Sequence, residues 1–340
     1  MNASRVGASV RAIIIGLLAS TAGAVNIDLV TVGNPGNAPD TRYPAAYRGI
    51  SGFGSVSYTY QIAKFEVTAG QYCEFLNAVA TVGDPHRLYS GYMSGSFAGR
   101  KIQRTGAGTW ADLYVYSIAP DRANRPVNCT QWGAAARFCN WLTNGQPVGG
   151  QDSTTTEDGS YTLVGTTSEA DMLSVTRNPN ARFVIPTEDE WYKAAYYDPN
   201  KPGGAGYWTY PTRSDVVPGN QLLNPDPGNN VNGVAGHYTI GAPYYLTEVG
   251  AFTDSFGPYG TFDQGGNVWE WNEGIIAPYS HCMRGSCFAG DVSWTNPSMT
   301  SYGSLTWDDP SIGFRVGYVP EPATLLLLAL SGLAMVRRKR

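Results

Sequence analysis

Glycine and proline interrupt this chain so often that regular structure has little room to run. It holds 41 glycines and 22 prolines among 340 residues, about one position in five, near the range where disorder becomes a concern. Long helices tolerate neither residue, so a coiled coil, a helical bundle and a polytopic membrane protein are excluded. The same segments carry 22 Tyr, 11 Phe and 9 Trp, and disordered chains lack such aromatic content. The combination predicts a loop-rich but packed domain. With no internal repeat and no clear linker, one domain is the simplest organisation.

Between residues 25 and 322 there are 17 basic against 27 acidic side chains. A body that acidic, without a basic patch in the sequence, repels phosphate backbones and argues against nucleic acid as a partner. Divalent cations suit it better. The five cysteines, Cys73, Cys129, Cys139, Cys282 and Cys287, are too sparse for a disulfide scaffold and form no CxxC. His86, His237 and His281 lack ligand spacing, which disfavours a histidine-based zinc or iron centre.

Both ends read as addresses. Arg5 and Arg11 precede the apolar run 12–19 and the small residues Ala22-Gly23-Ala24, the pattern of a signal peptide over 1–24 cut after Ala24. At the other end Pro320-Glu321-Pro322 leads into an apolar stretch, 323–336, short for a spanning helix, and then Arg337-Arg338-Lys339-Arg340. The basic cluster would keep the C-terminus cytoplasmic and leave the body outside the membrane.

A lead-in over 25–55 gives way to alternation over 56–62, and then a helix capped by Thr68 with Tyr72, Phe75, Leu76 and Val79 on one face. A second helix is signalled by Trp132, Ala135, Phe138, Cys139 and Leu142 at helical spacing, which makes Cys139 a small core residue. Residues 144–181, rich in Gly, Thr, Ser, Asp and Asn, read as a surface insertion with one strand-like piece, 160–163. A strand ends at Pro186, and Thr187 with Glu190 forms a capping box; Glu188 and Glu190 then complement the helix dipole. Tyr207-Trp208-Thr209-Tyr210 is a loop candidate for stacking on sugar faces.

In order, Phe65-Glu66-Val67-Thr68, Ile185-Pro186-Thr187-Glu188-Asp189-Glu190-Trp191, Gly266-Asn267-Val268-Trp269-Glu270-Trp271, Arg284-Gly285-Ser286-Cys287-Phe288 and Gly313-Phe314-Arg315 resemble the sulfatase-modifying-factor family, the formylglycine-generating enzyme domain, over 56–318. The resemblance implies an α+β, C-type-lectin-like fold with short helices and small antiparallel sheets. The last 22 or so residues, 319–340, resemble the PEP-CTERM sorting signal. That implies an exosortase-type partner, a membrane stage through the C-terminal helix, and export to the envelope or outer surface of a Gram-negative-type bacterium.

The family's enzymes oxidise a sulfatase cysteine with copper held by two thiolates, two and seven residues past the motif's aromatic. Those positions here are Gly290 and Thr295, and neither offers the soft ligand Cu(I) needs. Cys282 and Cys287 share the separation but straddle the motif. The resemblance also implies a calcium site from the side chains of Asp263 and Glu270 and the carbonyls of Gly266 and Val268, in keeping with calcium's oxygen preference. A second calcium site would fall on Asn230 and the Val231 carbonyl, with its acidic partner replaced near Gly241. Copper is disfavoured and calcium expected. The expectation is an exported, non-catalytic binding or structural module whose partner is an extracellular polysaccharide or a protein. The alternative is a formylglycine-generating oxidoreductase acting through a displaced Cys282/Cys287 pair.

Overall fold

Short elements joined by long, internally hydrogen-bonded loops make up the architecture, as the glycine and proline content requires. The structure is a computed structural model that describes residues 24–43, 52–95, 102–276, 280–304 and 307–320. In chain order the strands are β1 (Leu29–Val32), β2 (Tyr60–Ala63), β3 (Gln103–Thr105), β4 (Val115–Ser117), β5 (Phe183–Val184), β6 (Tyr197–Asp198), β7 (Gly206–Tyr207), β8 (Trp269–Ile275), β9 (His281–Arg284), β10 (Ser301–Tyr302), β11 (Ile312–Gly313) and β12 (Gly317–Tyr318). The helices are α1 (Ala69–Val79), α2 (Pro120–Ala123), α3 (Trp132–Thr143), α4 (Glu169–Met172) and α5 (Glu188–Tyr196).

One antiparallel sheet runs β1-β2-β12-β5. A second runs β10-β9-β8-β11, with β11 parallel to β8 and a register shift between Trp271 and Ile275. Two hairpins, β3-β4 and β6-β7, stand apart from these sheets. The class is α+β.

The helix signals hold. Thr68 caps α1, and Gln71 returns a bond to the Thr68 backbone, a reciprocal pair that satisfies two orphan donors. Thr187 and Glu190 do the same for α5. Tyr72, Phe75, Leu76 and Val79 are buried on α1. They meet α3, where Phe138 lies 5.3 Å from Phe75 edge to face and 6.0 Å from Tyr72, with Phe314 5.5 Å away. Cys139 is fully buried here, and desolvation raises its thiol pKa. It is packed as a small core residue.

Residues 144–181 are mostly exposed or half-buried, but they are anchored to the core at a few positions. Thr156, Ser160, Tyr161, Leu163 and Met172 are buried, because Arg137 on α3 points into this segment and pairs with Glu157 at 2.6 Å. The piece 160–163 makes only an isolated bridge, Tyr161 to Arg177. Glu188 and Glu190 also do more than face a dipole. Glu190 is buried against Arg177 at 2.6 Å, and Glu188 pairs with the buried Arg284.

The signal segment before Ala24, Glu321, Pro322 and the apolar helix 323–336 lie outside the described residues. Among the described residues no helix is long and apolar enough to cross a membrane.

Candidate functional site

Residue 66 presents an unsolved charge. Glu66 follows β2 in the extended Phe65–Thr68 stretch that caps α1, and its side chain is only 2% exposed. Both carboxylate oxygens lack a hydrogen-bond partner. Burial raises its pKa well above the usual range, and the charges of Asp263 and Glu270 push the same way. Asp263 is half-buried beside it, and its Oδ2 accepts from the Gly250 N–H at 2.6 Å. Desolvation lifts Asp263 to about 6, against the opposing pull of that N–H and of Arg315.

Glu270 sits differently. It is fully buried on β8, gripped by Arg315 at 2.5 and 2.6 Å, and Trp191 Nε1 donates to its Oε2 at 2.7 Å. Arg315 also donates to the carbonyls of Ala63 and Phe262, so one guanidinium ties β2, β8 and the 262–263 loop together. Of the two acids expected as calcium ligands, Asp263 keeps a free side and Glu270 is largely engaged. Glu66, which the sequence alone does not single out, is a further buried acid that feels the Asp263 charge, although the two line different cavities. Its only early sign is a carboxylate inside the otherwise apolar, cap-forming run Phe65–Thr68.

The loop carrying the expected main-chain ligands is tightly wound. Asp263, Gly266 and Asn267 all take positive φ, 58°, 81° and 59°. A Cβ at Gly266 would overlap the Asn232 backbone, so only glycine closes this turn. Among the described residues no three His, Cys, Asp or Glu side chains converge closely enough to hold a metal by themselves. A cation at this loop would depend largely on main-chain oxygens, for which the carbonyls of Gly266 and Val268 are the expected donors beside Asp263. Carboxylates and carbonyls suit a hard ion such as calcium. An orphaned buried carboxyl is what such an ion would satisfy.

The second expected calcium site is filled by protein hydrogen bonds. Asn230 donates to Asp226 at 3.0 Å and accepts from the Gln221 N–H at 3.1 Å. The Val231 carbonyl accepts from the Gly233 N–H at 3.1 Å. Asp226 in turn takes the Ser255 hydroxyl at 2.8 Å. The acid stands at 226, upstream of Asn230, and its oxygens are engaged.

Cys282 and Cys287 are both free and buried, in different surroundings. Cys282, on β9, lines a cavity of about 140 Å³ with Phe53, Glu188, Gly274, Ile275 and Thr300. Burial first, and then the Glu188 charge, push its thiol far up. Cys287 belongs to the main core; burial raises it, opposed by the N–H groups of Ala289 and Gly290 and by Ser311. The two thiols thus lie among different neighbours.

Gly290 has no room for a side chain. A Cβ there would overlap the Ser286 hydroxyl and come within 3.1 Å of the Trp294 ring. Thr295 is buried, with its hydroxyl donating to the Val292 carbonyl at 2.8 Å.

The three aromatics at 207–210 form no open platform. Tyr207 and Tyr210 are buried, and Trp208 is held by Asp198 at 3.0 Å with Lys201 over its ring at 4.3 Å. Exposure of a loop aromatic depends on its tertiary neighbours, which sequence does not display.

The family model described as the sulfatase-modifying factor enzyme 1-like domain matches residues 54–318, and the PEP-CTERM protein-sorting motif matches 319–340. No curated protein matches significantly. Among solved structures the chain is similar to the crystal structure of CarF at 18% identity, covering 87% of this chain and 99% of that one with a TM-score of 0.47. It is similar to Treponema denticola variable protein 1 at 18% identity, covering 88% and 98%, with a TM-score of 0.48. PvdO from Pseudomonas aeruginosa is 14% identical, covering 86% and 92%, with a TM-score of 0.43.

Proposed function

Because this chain belongs to the sulfatase-modifying factor family and ends in a PEP-CTERM sorting motif, we propose that it is a non-catalytic binding module ordered by calcium. The motif itself indicates exosortase-type sorting and export to the bacterial cell envelope or surface. In this reading the apolar tail holds the protein in a Gram-negative-type envelope membrane until it is processed, and the C-type-lectin-like body faces outward toward an extracellular polysaccharide.

One observation carries the absence of catalysis. The two positions that correspond to the family's copper thiolates are Gly290, without space for a Cβ, and Thr295, whose hydroxyl is engaged inside the protein. In this reading Cys282 and Cys287 do not act as a substitute pair, because one lines a small cavity and the other sits in the main core. Calcium is supported by the unpartnered Glu66 carboxyl, which feels the Asp263 charge.

The test uses the exported protein, cleared of metal and reloaded. Retention on immobilised extracellular polysaccharides is measured with calcium and with a chelator. The reading expects retention in calcium and its loss in chelator, together with direct calcium uptake by calorimetry. No calcium uptake and no retention on any polysaccharide would overturn it.

A further inference from the structure

Strands β3 and β4 form a hairpin that projects one face to solvent, and its side chains have an unusual make-up for that position. At the tip Trp110 is 87% exposed, and Leu113 and Val115, leading into and opening the return strand, are 42% and 54% exposed. Single exposed apolar residues need no explanation, but a cluster on one hairpin does. The tip is rigid. Thr109 and Asp112 exchange backbone hydrogen bonds at 3.0 and 3.1 Å, and the Thr109 hydroxyl accepts a further bond from Asp112 N–H. Gly108, at φ 71°, lets the Tyr114 ring lie directly against its Cα, where any Cβ would collide.

Arg104 is stacked into the same hairpin. Its guanidinium lies 4.6 Å from the Tyr89 ring and 4.4 Å from the Tyr114 ring. Among the described residues it has no carboxylate partner. The nearest acid that influences its neighbour Tyr116 is Asp84, whose two oxygens are engaged by the Leu88 and Tyr89 N–H groups and by Gln151. In sequence, 84–117 carries Arg87, Arg100, Lys101 and Arg104 against Asp84 and Asp112, whereas 25–322 as a whole is strongly acidic. The hairpin thus presents a cation, Arg104, among aromatic rings on a chain that is acidic as a whole.

Resting on the reading of this chain as a surface binding module, we propose that the 103–117 hairpin is its binding edge for an anionic polysaccharide, a uronate or sulfated glycan. Trp110 stacks on the apolar face of a sugar ring, and Arg104 pairs with a carboxylate or sulfate. The tyrosines hold the guanidinium plane in place, so little side-chain freedom is lost on binding. Charge complementarity selects the occupant. A single glycan strand can follow the hairpin and stay clear of the acidic remainder. An anionic bilayer is an extended plane and would bring the whole repelling body within a Debye length.

The test titrates the exported protein with polygalacturonate, dextran sulfate and neutral dextran, following tryptophan fluorescence and calorimetry. Arms with anionic lipid vesicles and single-stranded DNA run in parallel. Trp110→Ala should weaken anionic-glycan binding about ten-fold, the scale of one aromatic contact. Arg104→Gln should weaken it and flatten its salt dependence. Both positions are exposed, and an unchanged Tm and near-ultraviolet spectrum confirm folding. Preference for polygalacturonate or for dextran sulfate identifies the anion. If the parent binds anionic glycans and both folded variants bind equally well, the hairpin assignment falls while the binding-module reading stands. If the parent binds no polysaccharide at all, that reading falls with it. Equal binding of neutral dextran, or tighter hairpin-dependent binding of vesicles or DNA, overturns the choice of occupant.

Discussion

Replacing Asp263 by Asn should make the metal-free protein more stable at neutral pH and abolish its response to calcium. In the folded chain burial lifts the Asp263 carboxyl from 3.8 to about 6. A folded-state pKa above the unfolded one means the native state binds the proton more tightly. The group's favourable contribution is therefore present below about pH 4, declines as pH rises toward 6, and stays lost above it. At about 1.4 kcal/mol per unit, the swing is about 3 kcal/mol, an upper figure because the carboxyl keeps some solvent contact. Glu66 shifts in the same direction beside it. Urea denaturation in chelator, at pH 4 and pH 7.5, of the parent and of Asp263→Asn reads this group together with its coupling to Glu66, while distant titrations cancel in the difference. The parent should lose up to about 3 kcal/mol relative to the variant between the two pH values. Calcium at a hundred times its Kd should then raise the parent by about 2.7 kcal/mol at pH 7.5 and leave the variant unmoved. A difference flat with pH, or equal stabilisation of both proteins by calcium, would refute the reasoning.

Glu66→Gln should likewise stabilise the chelated protein at pH 7.5 and weaken calcium uptake, read by the same denaturation and by calorimetry. Arg315→Met strands the buried Glu270 carboxylate and should cost about 3–5 kcal/mol in urea denaturation. The double variant Gly290→Cys with Thr295→Cys should lose about 1–3 kcal/mol to overpacking against Ser286 and Trp294 and should not gain tight Cu(I) binding. His281 is buried and stacked 4.1 Å over Trp132, and desolvation lowers it to about 4. Its proton NMR titration should report that depressed value, and native stability should fall by about 3 kcal/mol as pH drops from 6.5 through 4.

Local grammar carried the helices. Thr68 and Thr187 announce α1 and α5 because a cap and its reciprocal partner lie three residues apart, inside the reach of a sequence reading. Cys139 declares itself by helical spacing in the same way. Long-range pairings do not. Glu66 reads as one more residue in an extended run until the fold brings Asp263 to it, and Glu270 looks like a free ligand until Arg315 closes on it. Residues 144–181 read as surface because they are polar, and most of them are, yet Arg137 draws Glu157 inward and buries a few neighbours with it. The aromatics at 207–210 and at Trp110 are indistinguishable as letters. Tertiary neighbours bury the first group and leave the second in solvent.

The sharpest check of an inert redox centre is chemical. The exported protein, loaded with Cu(I) under oxygen and reductant, is incubated with a Cys-x-Pro-x-Arg peptide and the product weighed by mass spectrometry. The account predicts recovery of unmodified peptide; appearance of the aldehyde would contradict it, and sensitivity of that aldehyde to Cys282→Ser or Cys287→Ser would place the lost chemistry in those two thiols.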